Sequence, residues 1–590
     1  MSVRSYKYEP LQENRSIRLL SLSSGKPNDS LQGSLLHTTL DLCPPYRALS
    51  YAWCGSDKVQ TLALDEDSAG ITASLYSALR DLREEENAQM IWADALCINQ
   101  DDNEEKSHQV RLMADIYSKA VQVVVHLGEE ADDSTRAMEF LYKLANTDLP
   151  GDMEQMVPLS KRSLDIPPID DEIWEATRAL LRRPWFCRVW VIQEFVVGAD
   201  VIMICGPAST SWMNILAAVY KLGEAGVPHL TWHLYNNDKE KTRATQQAAN
   251  MISQFGWLKS TYDNGERQPM LHLLRIFRDA YSTRQRDHLF ALLGLAADAS
   301  NSALDPNYDE SLESVVSRFA RFLIERTHSL EVLYHCSWSS QPSRFPSWVP
   351  DWTKRFPADS MLAASNTVTN KIFDAAFDKT AHPSFNSSST LLRIKGLRVD
   401  TIGQVGRDHS SEDDRDPTEL ALLRMYVGDT ARLVSLLNSY PTGEDIQEVH
   451  WRALIANTNK EGIELSPSLG DAFLALSEMV KRLDAGETTQ APGMGTLHQA
   501  MIPYLPSILR IMGGRKFCLT ERGYVGLVMN QVLPDDLVYV LYGAAVPFVL
   551  RPAEDQPGSY RIVGDCYIHG IMKGEAVRSS TFQEEEIVIC

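Results

Sequence analysis

The chain has no cysteine pair at a spacing that forms disulfides or holds zinc. Its nine cysteines, Cys43, Cys54, Cys97, Cys187, Cys205, Cys336, Cys518, Cys566 and Cys590, are scattered over 590 residues with no CxxC among them. Neither a disulfide framework nor a zinc site is expected. Long apolar runs are missing too: the best stretch, Tyr524–Leu550, is broken by Pro534, Asp535, Asp536 and Pro547, short of the ~18 residues a membrane helix needs. The N-terminal MSVRSYKYEPLQENR lacks the apolar core of a signal peptide. Basic charge is scarce, 57 Lys and Arg against 78 Asp and Glu, for a net charge of −21. That balance repels phosphate backbones and anionic lipid, which points away from nucleic acid and membrane surfaces. No phosphate loop, no H-E-x-x-H helix and no G-x-S-x-G elbow occurs. Gly493-Met494-Gly495 lacks the third glycine of a dinucleotide fingerprint. The fourteen histidines form no ligand set, so no metal and no cofactor is expected. What remains is a soluble, cytoplasmic protein.

What is present begins at Tyr46. Tyr46–Trp53 and Met90–Ala93 read as strands, Val121–Leu127 as a buried strand, and Val201–Cys205 as a closing one. Ile71–Arg83, Glu104–Ala120 and Trp185–Val197 carry apolar residues at helical spacing between them. Strand and helix in turn predict a mainly parallel sheet of four or five strands covered by helices. Residues 129–183 read as an insertion. The rest divides into a helical region over 207–353, a polar linker over 354–390, a mixed and mostly helical region over 391–512, and a small β-rich module over 513–590. Leu391–Val405 reads as strands with Gly396 and Gly403 at turns. Residues 1–45 read as an N-terminal extension.

Three blocks stand out: Tyr46-Arg-Ala-Leu-Ser-Tyr-Ala-Trp53, Ile91-Trp-Ala-Asp-Ala-Leu-Cys-Ile-Asn-Gln100 and Trp185-Phe-Cys-Arg-Val-Trp-Val-Ile-Gln-Glu194. Together they resemble the fungal heterokaryon incompatibility (HET) domain, here over residues 46–206. Cys54 between Trp53 and Gly55, and Ala93 in place of isoleucine, depart from the family pattern. Arg286-Asp-His-Leu-Phe-Ala-Leu-Leu-Gly-Leu295, Asp305-Pro-Asn-Tyr308, Pro346–Trp352 and Gly564–Met572 resemble the regions that follow the domain in such proteins. The resemblance implies non-self recognition between fungal strains, ending in programmed cell death, with an incompatibility partner protein and self-association through the HET domain.

A reaction comes from a second, more distant resemblance. Trp190-Val-Ile-Gln-Glu194 is similar to the W-x-x-x-E helix of TIR domains, and the order of strands and helices is similar as well. This implies a flavodoxin-like parallel sheet and, as in TIR domains that cleave NAD, a catalytic role for Glu194 with NAD as substrate. Ser50, Tyr51, Trp53, Asp94, Asn99, Gln100, Arg188 and Trp190 would then lie around the substrate, off the carboxyl ends of the strands. Plainer roles stand beside these. The tryptophans can be core, with Trp92 and Trp185 read as core outright. Asp94–Gln100 can be a turn bonded to its own backbone, and Arg188 and Glu194 can form a structural ion pair. Under that reading the domain is a non-catalytic adaptor that acts by recruiting another protein.

Overall fold

The computed structural model describes all residues except 1–3, 12–13, 27, 54, 56, 148–166, 169–170, 225–238, 337–343, 355–371, 387, 389, 408–418, 459–468 and 503. Cys54, much of the 129–183 insertion and most of the 354–390 linker therefore lie outside the described residues. The chain divides into two compact units, Met1–Val315 and Val316–Cys590.

In the first unit, ten strands make one sheet: β1 (Arg4–Ser5), β2 (Ser16–Leu22), β3 (Gln32–Thr39), β4 (Arg47–Tyr51), β5 (Gln60–Leu64), β6 (Asp67–Ile71), β7 (Gln89–Trp92), β8 (Gln122–His126), β9 (Val201–Cys205) and β10 (Ala208–Ser211). Their spatial order is β1-β6-β5-β3-β2-β7-β4-β8-β9-β10. Only β7, β4, β8 and β9 form a continuous parallel block. β2 joins it antiparallel on the β7 side and β10 antiparallel on the β9 side. The sheet is thus mixed and larger than the expected four or five mainly parallel strands. Three of the six added strands come from residues 4–39, whose Ile17, Leu19, Leu20 and Leu22 are fully buried and find that burial by extending the sheet; β5, β6 and β10 supply the others. β8 sits inside the parallel block, between β4 and β9, with Val123, Val124 and Val125 at 0% exposure, the two-sided burial expected of an internal parallel strand.

Helices alternate with and follow the strands; among the described residues these are α1 (Ala73–Leu82), α2 (Asp94–Cys97), α3 (Asn103–Lys119), α4 (Ser134–Ala145), α5 (Ile173–Leu181), α6 (Trp190–Val197), α7 (Trp212–Glu224), α8 (Lys239–Asp263), α9 (Met270–Ile276) and α10 (Asp287–Phe290). Their caps are local. Thr72 accepts the Leu75 N–H to start α1, and Asp102 accepts those of Glu104 and Glu105 to start α3. The predicted Trp185–Val197 helix is split: Pro184–Cys187 is a 3-10 turn and α6 begins only at Trp190. A short parallel bridge between Arg188 and Tyr281, with the Val189 N–H donating to the Tyr281 carbonyl at 2.9 Å, takes the backbone out of the helix there.

The second unit carries a nine-stranded sheet: β11 (Ser384–Phe385), β12 (Leu392–Val405), β13 (Arg515–Thr520), β14 (Val525–Met529), β15 (Leu537–Leu541), β16 (Phe548–Pro552), β17 (Tyr560–Asp565), β18 (Tyr567–Ile568) and β19 (Glu584–Ile589). β12 pairs with both β19 and β15, which closes a ring through β16 and β17. Gly396 and Gly403, expected at turns, lie inside this one long strand. Gly396 is flanked on both edges, and a Cβ there would meet the Val540 carbonyl oxygen at 2.7 Å. Helices Glu419–Val434, Ile446–Leu454, Gly470–Asp484, Met494–Met501 and Leu505–Met512 occupy the stretch between β12 and β13. Gly493 precedes one of them in a left-handed conformation, which accounts for the Gly-Met-Gly triplet as a helix start.

Candidate functional site

The parallel block runs, in chain order, second-first-third-fourth (β7-β4-β8-β9). Its topological reversal therefore lies between β4 and β8, the place where open α/β sheets leave a crevice at their carboxyl ends. Ser50 and Tyr51 are the last residues of β4, and Asp94 opens α2 just past β7. Glu194 comes to the same end from the middle of α6.

The Glu194 carboxylate accepts a hydrogen bond from the Ser50 hydroxyl. Ser50 Oγ in turn accepts the Trp185 indole N–H at 2.8 Å, so Ser50 is locked as a donor toward Glu194. Ser50 and Trp185 are fully buried, and Glu194 is 5% exposed. Burial, and then the neighbouring Asp94 carboxylate, push the Glu194 pKa up to about 7. The Ser50 hydroxyl, the Arg188 charge and the Tyr117 hydroxyl act against that rise. Asp94 is also held above the usual carboxylate range, again chiefly by burial, with Arg188 opposing. Arg188 does not pair with Glu194. Its Nη1 donates to the Tyr51 carbonyl at 2.8 Å, and no ion pair joins Arg188 to a carboxylate among the described residues. The Tyr51 hydroxyl is buried beside Asp94 and favours its ionised form. Two neighbouring carboxyl groups that both resist ionisation are costly, and it is the kind of cost concentrated where ligands bind.

The remaining predicted residues take three places. Trp53 joins this centre, its indole N–H donating to Asp94 Oδ1 at 3.3 Å. Asn99 and Gln100 shape the loop: the Asn99 N–H donates to Glu105 at 2.7 Å, and the Gln100 amide donates to the Asp94 carbonyl at 2.9 Å. Trp190 points elsewhere; its N–H donates to Asp287 Oδ2 at 3.0 Å. Two participants escaped sequence reasoning. Trp185 was read as core, and it is buried, but its one polar atom holds Ser50. Tyr117 was read as an apolar helix position in a block, Gln109–Gly128, that resembles the family's middle motif, yet its hydroxyl donates to the Leu49 carbonyl at 3.0 Å and lies close enough to Glu194 to favour the ionised form. No cluster of three or more His, Cys, Asp or Glu able to hold a metal occurs among the described residues. No described helix is long and apolar enough to cross a membrane.

Comparison with known proteins matches residues 46–194 to the family model "Heterokaryon incompatibility protein (HET)". The chain carries a heterokaryon incompatibility domain. Its site, as built above, ends on the last residue of that match. Residues 419–586 match a second model, the Het-6 β-barrel domain, which covers most of the closed strand ring. Heterokaryon incompatibility protein 6, OR allele, of Neurospora crassa is 29% identical to the chain, over 95% of this chain and 94% of that one. No solved structure matches.

Proposed function

We propose that the chain is a fungal incompatibility protein acting in the cytoplasm, with the HET domain as the effector that triggers cell death and NAD cleavage as its reaction. The observation that carries the proposal is the Glu194 carboxyl. It is buried and hydrogen-bonded by a serine, lies beside a second carboxylate, and titrates near pH 7 at the reversal point of a parallel sheet in the second-first-third-fourth order. That order is the flavodoxin-like one, which supports the kinship with TIR domains. In the reaction, the bond from ribose C1′ to the pyridinium nitrogen breaks and its electron pair goes to that nitrogen, giving neutral nicotinamide. The positive charge left on C1′ is stabilised by ionised Glu194. Water then adds to C1′ and releases a proton, giving ADP-ribose. A cationic pyridinium offsets the repulsion between the Glu194 and Asp94 carboxylates, so substrate binding itself favours ionised Glu194. An incompatibility partner, and self-association of HET domains, would set when the reaction starts.

The test is release of nicotinamide from NAD by the purified full-length chain. The expected result is turnover that falls about 100- to 1,000-fold in Glu194→Gln. Wild-type protein that arrests growth of a fungal host while leaving its NAD intact would overturn the proposal. The closure of Glu194 by Ser50 favours a second reading, a non-catalytic adaptor whose protonated glutamate ties α6 to β4. Under it, Glu194→Gln keeps full growth arrest.

A further inference from the structure

The segment after the HET match touches α6 at three points. Tyr281 bridges the backbone around Arg188, with the Val189 N–H on the Tyr281 carbonyl at 2.9 Å. Asp287 accepts the Trp190 indole N–H at 3.0 Å. The Gly294 N–H donates to Gln193 Oε1 at 3.2 Å, and a Cβ at position 294 would strike that same oxygen at 2.5 Å. The helix that carries Glu194 is therefore held before, at and one residue short of its functional end by residues 281–294, none of them within 46–194.

Asp287 is the least expected of these contacts. It is 8% exposed, and both of its carboxylate oxygens are used, Oδ2 by Trp190 and Oδ1 by the Tyr308 hydroxyl at 2.8 Å. Tyr308 is held from behind, its backbone carbonyl accepting Arg286 Nη1 at 2.7 Å. Packing alone would be met more cheaply by an apolar side chain, because a buried carboxylate loses its hydration. What an aspartate adds is direction. A carboxylate fixed through one oxygen to a buried tyrosine presents the other at a set place, and the indole must turn its N–H there. Trp190 is half-buried and lies one helical turn before Glu194, so the helix that carries Glu194 is gripped at its first residue by a residue 97 positions further along the chain.

We infer that Asp287, anchored by Tyr308, is a positioning residue that acts through the Trp190 indole to fix α6, the helix that carries Glu194, and that the functional unit of this HET domain extends through Tyr308. The inference rests on the proposed function for what the site does, but not for where the indole points. It also accounts for Arg286-Asp-His and Asp305-Pro-Asn-Tyr308 as supports of α6 that lie far from it in sequence.

The experiment uses the full-length chain and the variants Asp287→Asn, Tyr308→Phe and Trp190→Phe with the double variant Trp190→Phe/Asp287→Asn. The Trp190 indole N–H resonance, assigned by its loss in Trp190→Phe, is the readout that does not depend on NAD. It shifts in Asp287→Asn at unchanged melting temperature if the inference holds. With NAD as probe, Asp287→Asn lowers kcat/KM by roughly 10- to 100-fold, and in the Trp190→Phe background the same change has little further effect. An unmoved indole resonance overturns the inference. So does a loss in Asp287→Asn that simply adds to that of Trp190→Phe, or one that tracks a fallen melting temperature in both Asp287→Asn and Tyr308→Phe. If the wild type cleaves no NAD, the proposed reaction falls, while the resonance still decides whether Asp287 orients Trp190.

Discussion

In the C-terminal unit two deeply buried carboxylates each have an arginine, and a third, Asp400, is met by the backbone N–H groups of Thr401 and Arg522. Asp565 takes Arg515 at 2.9 Å with both side chains at 2% exposure or less, and Asp536 takes Arg551 through two bonds of 2.7 Å. In the HET domain Glu194 is buried beside Asp94. The arginine whose charge reaches both of them, Arg188, spends a donor on a backbone carbonyl instead. The first arrangement matches charges one to one and serves to hold strands in register: Arg515 is on β13 and Asp565 on β17, which pairing alone does not bring together. The second leaves charge unmatched and lets a proton stay on Glu194 near neutral pH. A structural carboxylate is given a partner; one kept without a partner is kept ready for something that arrives.

The comparison breaks most visibly at Asp565. Asp565→Ala leaves Arg515 charged and buried, and the expected loss is about 3–5 kcal/mol of stability in the C-terminal unit, read as an early transition in denaturant unfolding. The matching change in the HET domain should do the reverse. The pKa of Glu194 rises on folding from 4.5 to about 7, so folded protein binds the proton more tightly than unfolded protein does. Stability contributed by this group is complete below about pH 4.5, falls as pH rises, and levels off above about pH 7. Glu194→Gln removes that dependence, and at pH 8 it should be more stable than wild type by about 3 kcal/mol. A variant that is less stable at pH 8 would place Glu194 with the structural carboxylates.

Ser50→Ala sharpens the contrast at smaller amplitude. It strands the Trp185 N–H in the core, at a cost of about 1–3 kcal/mol, and removes a bond that favours ionised Glu194. The pH at which activity appears should therefore move upward, as a rate profile would show. The smallest effect concerns Cys97, whose thiol is fully buried and pushed up to about 12. It should resist iodoacetamide in the native state, and Cys97→Ala should keep wild-type turnover.

Much of this was written locally. The β8 valines announce a two-sided strand, and the Ser50, Asp94 and Glu194 blocks stand at element ends where a strand-helix alternation would put them. What escaped is what depends on distant partners. Strands β2 and β3 join the sheet only because β7 offers an edge, which no periodicity within residues 16–39 reveals. The break before Trp190 is made by Tyr281, nearly a hundred residues away. Gly396 reads as a turn because a glycine looks the same whether the backbone bends or another strand crowds it. Trp190 illustrates the limit best: its helical spacing to Glu194 was plain, but its indole answers to Asp287.

The central claim is that Glu194 is an unpaired carboxylate whose ionisation controls a reaction. The direct measurement is kcat/KM for NAD from pH 5 to 9, on wild type and Glu194→Gln in parallel. The predicted wild-type profile rises through a single ionisation near pH 7, the Glu194 value in the free protein. Glu194→Gln should be flat and about 100- to 1,000-fold lower. A variant that retains wild-type turnover, or that keeps the same rise near pH 7, would contradict the account.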